Sequence, residues 1–253
     1  MEKYSQLLRF NSSSCKDNKE LISLEEYVSR LKDNQKEIYF AFGSSRDAID
    51  LDPHLEVFKR KGLEVLYMYD PIDEFVVTSI RKFKDYDFKS VDSVELEKIE
   101  KLKDEKETET KVEELSKDDN KHFDSLLAKM KTILGDRVVD VKESKRLFDS
   151  PSCLVNPDSS MSSSMLKMMR LANQDMGQQK KIFEVNKDHH LVRNLLAIFK
   201  ADSNDDYINN VTEQLYESAL LIEGNLDDPH KLVNRLNKMM EQSSEWYKEV
   251  KKL

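Results

Sequence analysis

The chain has 253 residues, 38% hydrophobic and 36% charged, with a formal net charge of −8. Its length suits two compact domains of the usual ~100 to 200 residues, and a charged share above the roughly 25% of average globular proteins must occupy solvated faces or linkers. Five Gly and five Pro are too few turn formers for a sandwich or barrel of many short strands. Lys and Arg mixed among Asp and Glu form no basic face for nucleic acid. No stretch nears the ~18 apolar residues of a membrane span, and the N-terminal MEKYSQLLRF lacks the apolar core of a secretion signal. Cys15 and Cys153, far apart and outside any C-x-x-C or Cys/His cluster, read as free thiols of a reducing compartment.

In chain order, Ser23 with Glu26 three residues on predicts a capped helix from about Ser23 to Asp33. Glu37 to Phe42 reads as a buried strand ending at Gly43. A helical stretch from about Arg46 to Lys61 follows, interrupted near Pro53 and closed by Gly62. Leu63 to Tyr69 is a second strand. Asp70-Pro71-Ile72-Asp73 then starts a helix with Asp70 as N-cap and Pro71 at the first position. This order of strand, helix, strand and helix implies a small parallel α/β unit with a right-handed crossover, placed at residues 1–95.

Residues 96–121 are nearly all charged, without an apolar stripe wide enough to pack, and read as a linker or a solvated helix. The remainder, 122–253, reads as a second, helix-rich α+β domain. An amphipathic helix runs from Phe123 to a stop at Gly135. Val138 to Val141, Ser152 to Val155 and Ile182 to Val185 are short strands, the last two bracketing a helix from about Ser163 to Gln178. Helices follow at about His189 to Ala201, Asp205 to Glu223 and Pro229 to Lys251. The turn at Gly224-Asn225 makes the last two a hairpin.

Few constellations carry chemistry. Asp70, Asp73 and Glu74 lie at the C-terminal end of a parallel strand, where open α/β sheets place active sites, but a helix cap explains them fully. His189 and His190 are adjacent and cannot share a metal from one helix face. Among the other histidines there is no H-E-x-x-H, and no phosphate-binding Gly loop or nucleophile elbow occurs. Met161, Met165, Met168, Met169 and Met176 line one helical face, either as core filler or as an adaptable apolar surface behind a Ser-rich approach. On the hairpin, Val211, Leu215, Ala219 and Ile222 form one stripe, and Leu232, Leu236, Met239 and Trp246 continue a near-heptad seam. Two copies on a twofold axis would close these into a four-helix interface; packing onto the same chain's sheet is the alternative.

The runs LLRFNSSS, LISLEEYVSRLKDNQKEIYF and LEVFKRKGLEVLYMYDPIDEF resemble the distal middle domain of the ninety-kilodalton heat-shock chaperones. LGDRVVDVKESKRLFDSPSCLV, IFEVNKDHHLV and LYESALLIEGNLDDPHKLVNRLN resemble their C-terminal dimerisation domain, so the likeness runs from about Leu7 to Met240. It implies a homodimeric, ATP-driven chaperone that binds partly folded client proteins. The family's ATP- and Mg-binding parts sit in an N-terminal domain that this sequence lacks, and its catalytic arginine lies upstream. The resemblance therefore implies no catalytic, cofactor or metal residue here, and no ATP hydrolysis by this chain alone.

The family's client-contacting pair matches Glu74 and Phe75, where bacterial members tend to carry Trp, and its amphipathic client helix matches Met161, Met165, Met168 and Met169. On the hairpin pattern, the dimer contacts are expected at Leu215, Ala219, Ile222, Leu232, Leu236 and Met239. The chain departs from the family at Lys187 and His190, where prolines are usual. The C-terminal EWYKEVKKL lacks the MEEVD and KDEL-type tails of eukaryotic members, which favours a bacterial cytoplasmic or organellar matrix or stromal protein. A competing expectation is a non-chaperone oligomerisation scaffold whose α/β unit docks one specific partner.

Overall fold

The computed structural model describes residues 5–70, 72–94, 96, 99, 102, 114–157 and 180–252. They divide into two compact units. The first comprises Met1–Val112, Lys145–Asp149 and Val155–Lys180, and the second Glu113–Ser144, Ser150–Leu154 and Lys181–Leu253. Both mix sheet and helix.

The first unit holds a five-stranded sheet of β1 (Asn11–Ser12), β2 (Glu37–Phe42), β3 (Leu66–Met68), β4 (Lys82–Phe83) and β5 (Tyr86–Ser90), in the order β1-β3-β2-β5-β4. β2 runs parallel to β3, with Phe40 opposite Leu66, and parallel to β5, with Ile38 opposite Phe88. The outer pairs are antiparallel. The expected parallel pair is thus the centre of a mixed sheet. Its β4–β5 hairpin escaped sequence reading because KFKDYDFKS interleaves charges with aromatics, as a half-exposed edge does.

The apolar run of β2 is continuous because both faces are covered. Tyr39 and Ala41 face a cluster with Ile49, Leu55, Phe58 and Val91, whereas Ile38 and Phe40 face Leu24, Tyr27, Met68 and Phe83. Buried Tyr27 stays satisfied: its hydroxyl donates to the Glu64 carbonyl at 2.7 Å and accepts from the Tyr39 N–H at 3.0 Å. Helix α1 (Leu24–Ser29) starts with the expected capping box of Ser23 and Glu26 but ends earlier than Asp33. Helices α2 (Arg46–Asp50) and α3 (Glu56–Lys61) are separated by a 3₁₀ turn at Pro53–Leu55, and Gly62 closes α3 at φ 59°. Helix α4 (Asp73–Ile80) follows β3 and anchors through buried Val77.

The second unit opens with α5 (Lys117–Leu134), whose N-cap Ser116 accepts from the Asp119 N–H at 3.0 Å. The end of the expected linker is therefore the first turn of a packed helix; residues 103–113 lie outside the described set. Strands β6 (Val138–Glu143), β7 (Ser152–Val155) and β8 (Lys181–Val185) form a sheet ordered β6-β8-β7, with β6 and β8 parallel. Helices α6 (His190–Ala201), α7 (Asp206–Ile222) and α8 (His230–Lys251) complete it. Phe123, Leu126, Met130 and Leu134 of α5 meet Phe183, Val192, Leu195, Ile208 and Val211 in one core. Where the prolines usual in the resembled family are missing, His189 caps α6 by accepting the Leu191 N–H at Nδ1, 3.1 Å, and Lys187 pairs with Glu143 at 2.7 Å. Gly224 turns the α7–α8 hairpin at φ 69°.

Candidate interaction surfaces

The tip of α4 is built by a self-bonded turn. Asp70 does not cap the helix as expected: its carboxylate accepts from the Ile72 N–H at 3.1 Å, while the Asp73 carboxylate reaches back to the Asp70 N–H at 3.2 Å. The helix begins only at Asp73, after Ile72. Burial, then the neighbouring charge of Asp70, holds the Asp73 carboxyl above its ordinary value despite that N–H. Ile72 and Phe75 stand 59% and 54% exposed at this tip. Glu74 occupies the second helical position; its side chain is not among those described. Met161, Met165, Met168 and Met169, with the helix expected around them, lie outside the described residues.

A part-buried His–Asp contact lies elsewhere in the first unit. His54 places Nδ1 2.7 Å and its backbone N–H 2.9 Å from one oxygen of Asp52. Burial works against the charge of Asp52, but the His54 contacts outweigh it and hold the carboxyl below its usual range. Asp52 is the cap of the 3₁₀ turn, so the pair has a structural use. Among the described residues no group of three His, Cys, Asp or Glu side chains could hold a metal. The sequence carries no Gly-rich phosphate loop.

The hairpin divides the expected dimer stripe. Leu215, Ala219 and Leu232 are buried in their own unit, and Met239 packs against the same core, whereas Ile222 and Leu236 are 62% and 42% exposed. Arg235 of α8 holds the hairpin together by donating to Glu217 at 2.9 Å in a largely buried pair. The apolar residues left outside form a different row: Val233, Leu236, Met240, Tyr247 and Val250, all exposed. Their spacing is that of heptad a and d positions, with Ser243 at the remaining one. Shifting the heptad frame by one residue from Leu232 to Val233 would have found this row. From Met240 to Lys252 every residue of the chain is exposed, Trp246 included.

A profile of the family described as Hsp90 protein matches residues 1–252. The chain is 46% identical over 252 residues to the chaperone protein HtpG of Oleidesulfovibrio alaskensis, covering all of this chain and 40% of that protein. It is 43% identical to HtpG of Nitratidesulfovibrio vulgaris over 252 residues, 39% of that protein's length. HtpG of Chlorobium phaeovibrioides is 39% identical over 240 residues, 95% of this chain and 37% of the relative. The chain thus spans about two fifths of the length of the curated relatives it matches. With the family profile running over nearly every residue and the relatives agreeing along the same stretch, this chain belongs to the Hsp90 family of chaperones.

Proposed function

We propose that the chain is the segment of an Hsp90-type chaperone that holds two copies together and presents a surface to partly folded clients. The observation that carries the reading is the exposed a/d row of α8: five apolar side chains on one stripe of a helix whose last turns are exposed among the described residues. At roughly 1.5 to 3 kcal/mol for each large apolar side chain fully removed from water, such a row favours self-association, and an isologous contact places the same stripe on both sides. A permanent dimer of this kind calls for about 2,000 Å² of buried surface. Dimerisation keeps two arms at high effective concentration.

Clients meet the exposed tip at Ile72 and Phe75, beside Glu74, and the methionine face of Met161, Met165, Met168 and Met169. Ring exposure at Phe75 and family membership support the first; the methionine pattern supports the second. ATP binding and hydrolysis are assigned to the parts of the relatives that this chain does not match. The bacterial relatives favour the bacterial cytoplasm over an organelle; among the described residues no helix is long and apolar enough to cross a membrane. Light scattering tests the central claim: the wild-type chain runs at twice its monomer mass, and Leu236→Glu with Met240→Glu runs as a monomer. A wild-type monomer at micromolar concentration would refute it.

A further inference from the structure

The α4 tip holds two features that a purely apolar client surface leaves unused. Ile72 and Phe75 are three apart on helical backbone and so share a face. Beside them, the carboxylates of Asp70 and Asp73 bond to backbone N–H groups of their own turn, and among the described residues neither is paired with a cation. Arg46, which acts on the adjoining Tyr69, is committed elsewhere: it donates to the Asn11 side chain, the Ser12 carbonyl and the Cys15 carbonyl, and lies 5.1 Å from the centre of the Tyr67 ring.

Resting on the client reading above, we propose that this tip selects client segments in which an apolar residue is flanked by Lys or Arg. The apolar side chain covers Ile72 and Phe75, and the cation lies against Asp70 and Asp73. Apolar contact alone tolerates many sequences; the paired negative charges supply the discrimination, because an acidic segment adds repulsion where a basic one relieves it. Burial, with the charge of Asp70 adding to it, raises the Asp73 carboxyl. At an exposed site each ion pair changes affinity by about fivefold at most, a bias among clients and not an exclusive lock.

Fluorescence anisotropy on the whole chain tests this with four labelled extended peptides of equal length, alternating Phe–Lys, Phe–Ser, Phe–Glu and Ser–Lys. The expected order is Phe–Lys, then Phe–Ser, then Phe–Glu, with steps of about fivefold or less and no binding of Ser–Lys. Added salt and either Asp70→Asn or Asp73→Asn narrow the first step; Asp70 is the exposed residue, so its variant keeps the fold. Lower pH narrows it too, as the Asp73 carboxylate protonates. Equal affinity for Phe–Lys and Phe–Ser, or a ratio unmoved by both Asn variants, overturns the charge selection and leaves the client surface standing. Unchanged affinity for every peptide after Ile72→Ser with Phe75→Ser overturns the client reading of this tip as well. If that double variant loses dimer mass, the face joins two copies of the chain and the proposal fails.

Discussion

Helices α5 and α8 are both long and amphipathic, yet they end up in opposite surroundings. α5 buries Phe123, Leu126, Leu127, Met130 and Leu134, while α8 buries only Leu232. The stripe of α5 meets strands and helices of its own unit. That of α8 packs on its own unit as far as Met239 and then carries Met240, Trp246, Tyr247 and Val250 into solvent. Equal amphipathicity in sequence thus means a core in one place and an unfilled contact in the other. What separates them is whether another described element lies within reach.

The largest effect should come from α5. Phe123→Ala removes a ring that is 1% exposed and should cost about 3 to 5 kcal/mol, read as a lower urea midpoint for the second unit; Tyr247→Ala on α8 should leave that midpoint near wild type. Equal losses for the two would erase the distinction. Next, Leu232→Glu should unfold the hairpin, because the residue is buried at home, whereas Leu236→Glu with Met240→Glu should dissociate copies while preserving helical circular dichroism. In the first unit, Gly43→Ala places a methyl 2.5 Å from Ile49 Cγ1, and this overpacking should cost about 1 to 3 kcal/mol by denaturant titration.

Capping distinguishes the two helices at a smaller scale. α5 has the Ser116 cap, and α8 starts after Pro229 without a side-chain cap bond. Ser116→Ala should cost about 1 kcal/mol, measurable as a small downward shift in the melting of α5. The smallest effect concerns pH. The Asp119 carboxyl at the start of α5 is held below its ordinary value, first by the Lys200 ammonium and then by the Ser116 hydroxyl. Its contribution to stability is therefore present above the unfolded carboxylate value and lost as pH falls through the lowered one. Lys200→Met should flatten that acid limb slightly; an unchanged limb would show the pair to be idle.

Local signals were the readable part of the fold. The Ser23–Glu26 box, the run Glu37–Phe42, the break at Pro53, Gly62 and the Gly224 turn act within a few residues, and each sits in the structure where its chemistry puts it. Asp70 misled because its side chain can bond either to a helix N-terminus or to its own turn, and the longer-range geometry of Asp73 chose the turn. The β4–β5 hairpin stayed hidden because its edge strand β4 has only two residues and β5 is largely half-buried, too little to impose a pattern. At the interaction surfaces, residue types were legible but their direction was not: Leu232 and Leu236 look alike in the heptad, and a rotation of the helix puts one inside and the other outside.

By itself the sequence determined most of the helices and the central strands, the charge balance, the absence of a phosphate loop and, through its motifs, the family. Those rest on periodicity, caps and residue chemistry, which need no distant contact. Only the tertiary structure decided which apolar stripes are already satisfied, because burial depends on what another part of the chain brings alongside. It set the frame of the exposed row on α8 one residue away from the expected seam. It also left Asp70 exposed and Asp73 half-buried at the α4 tip, neither paired with a cation among the described residues.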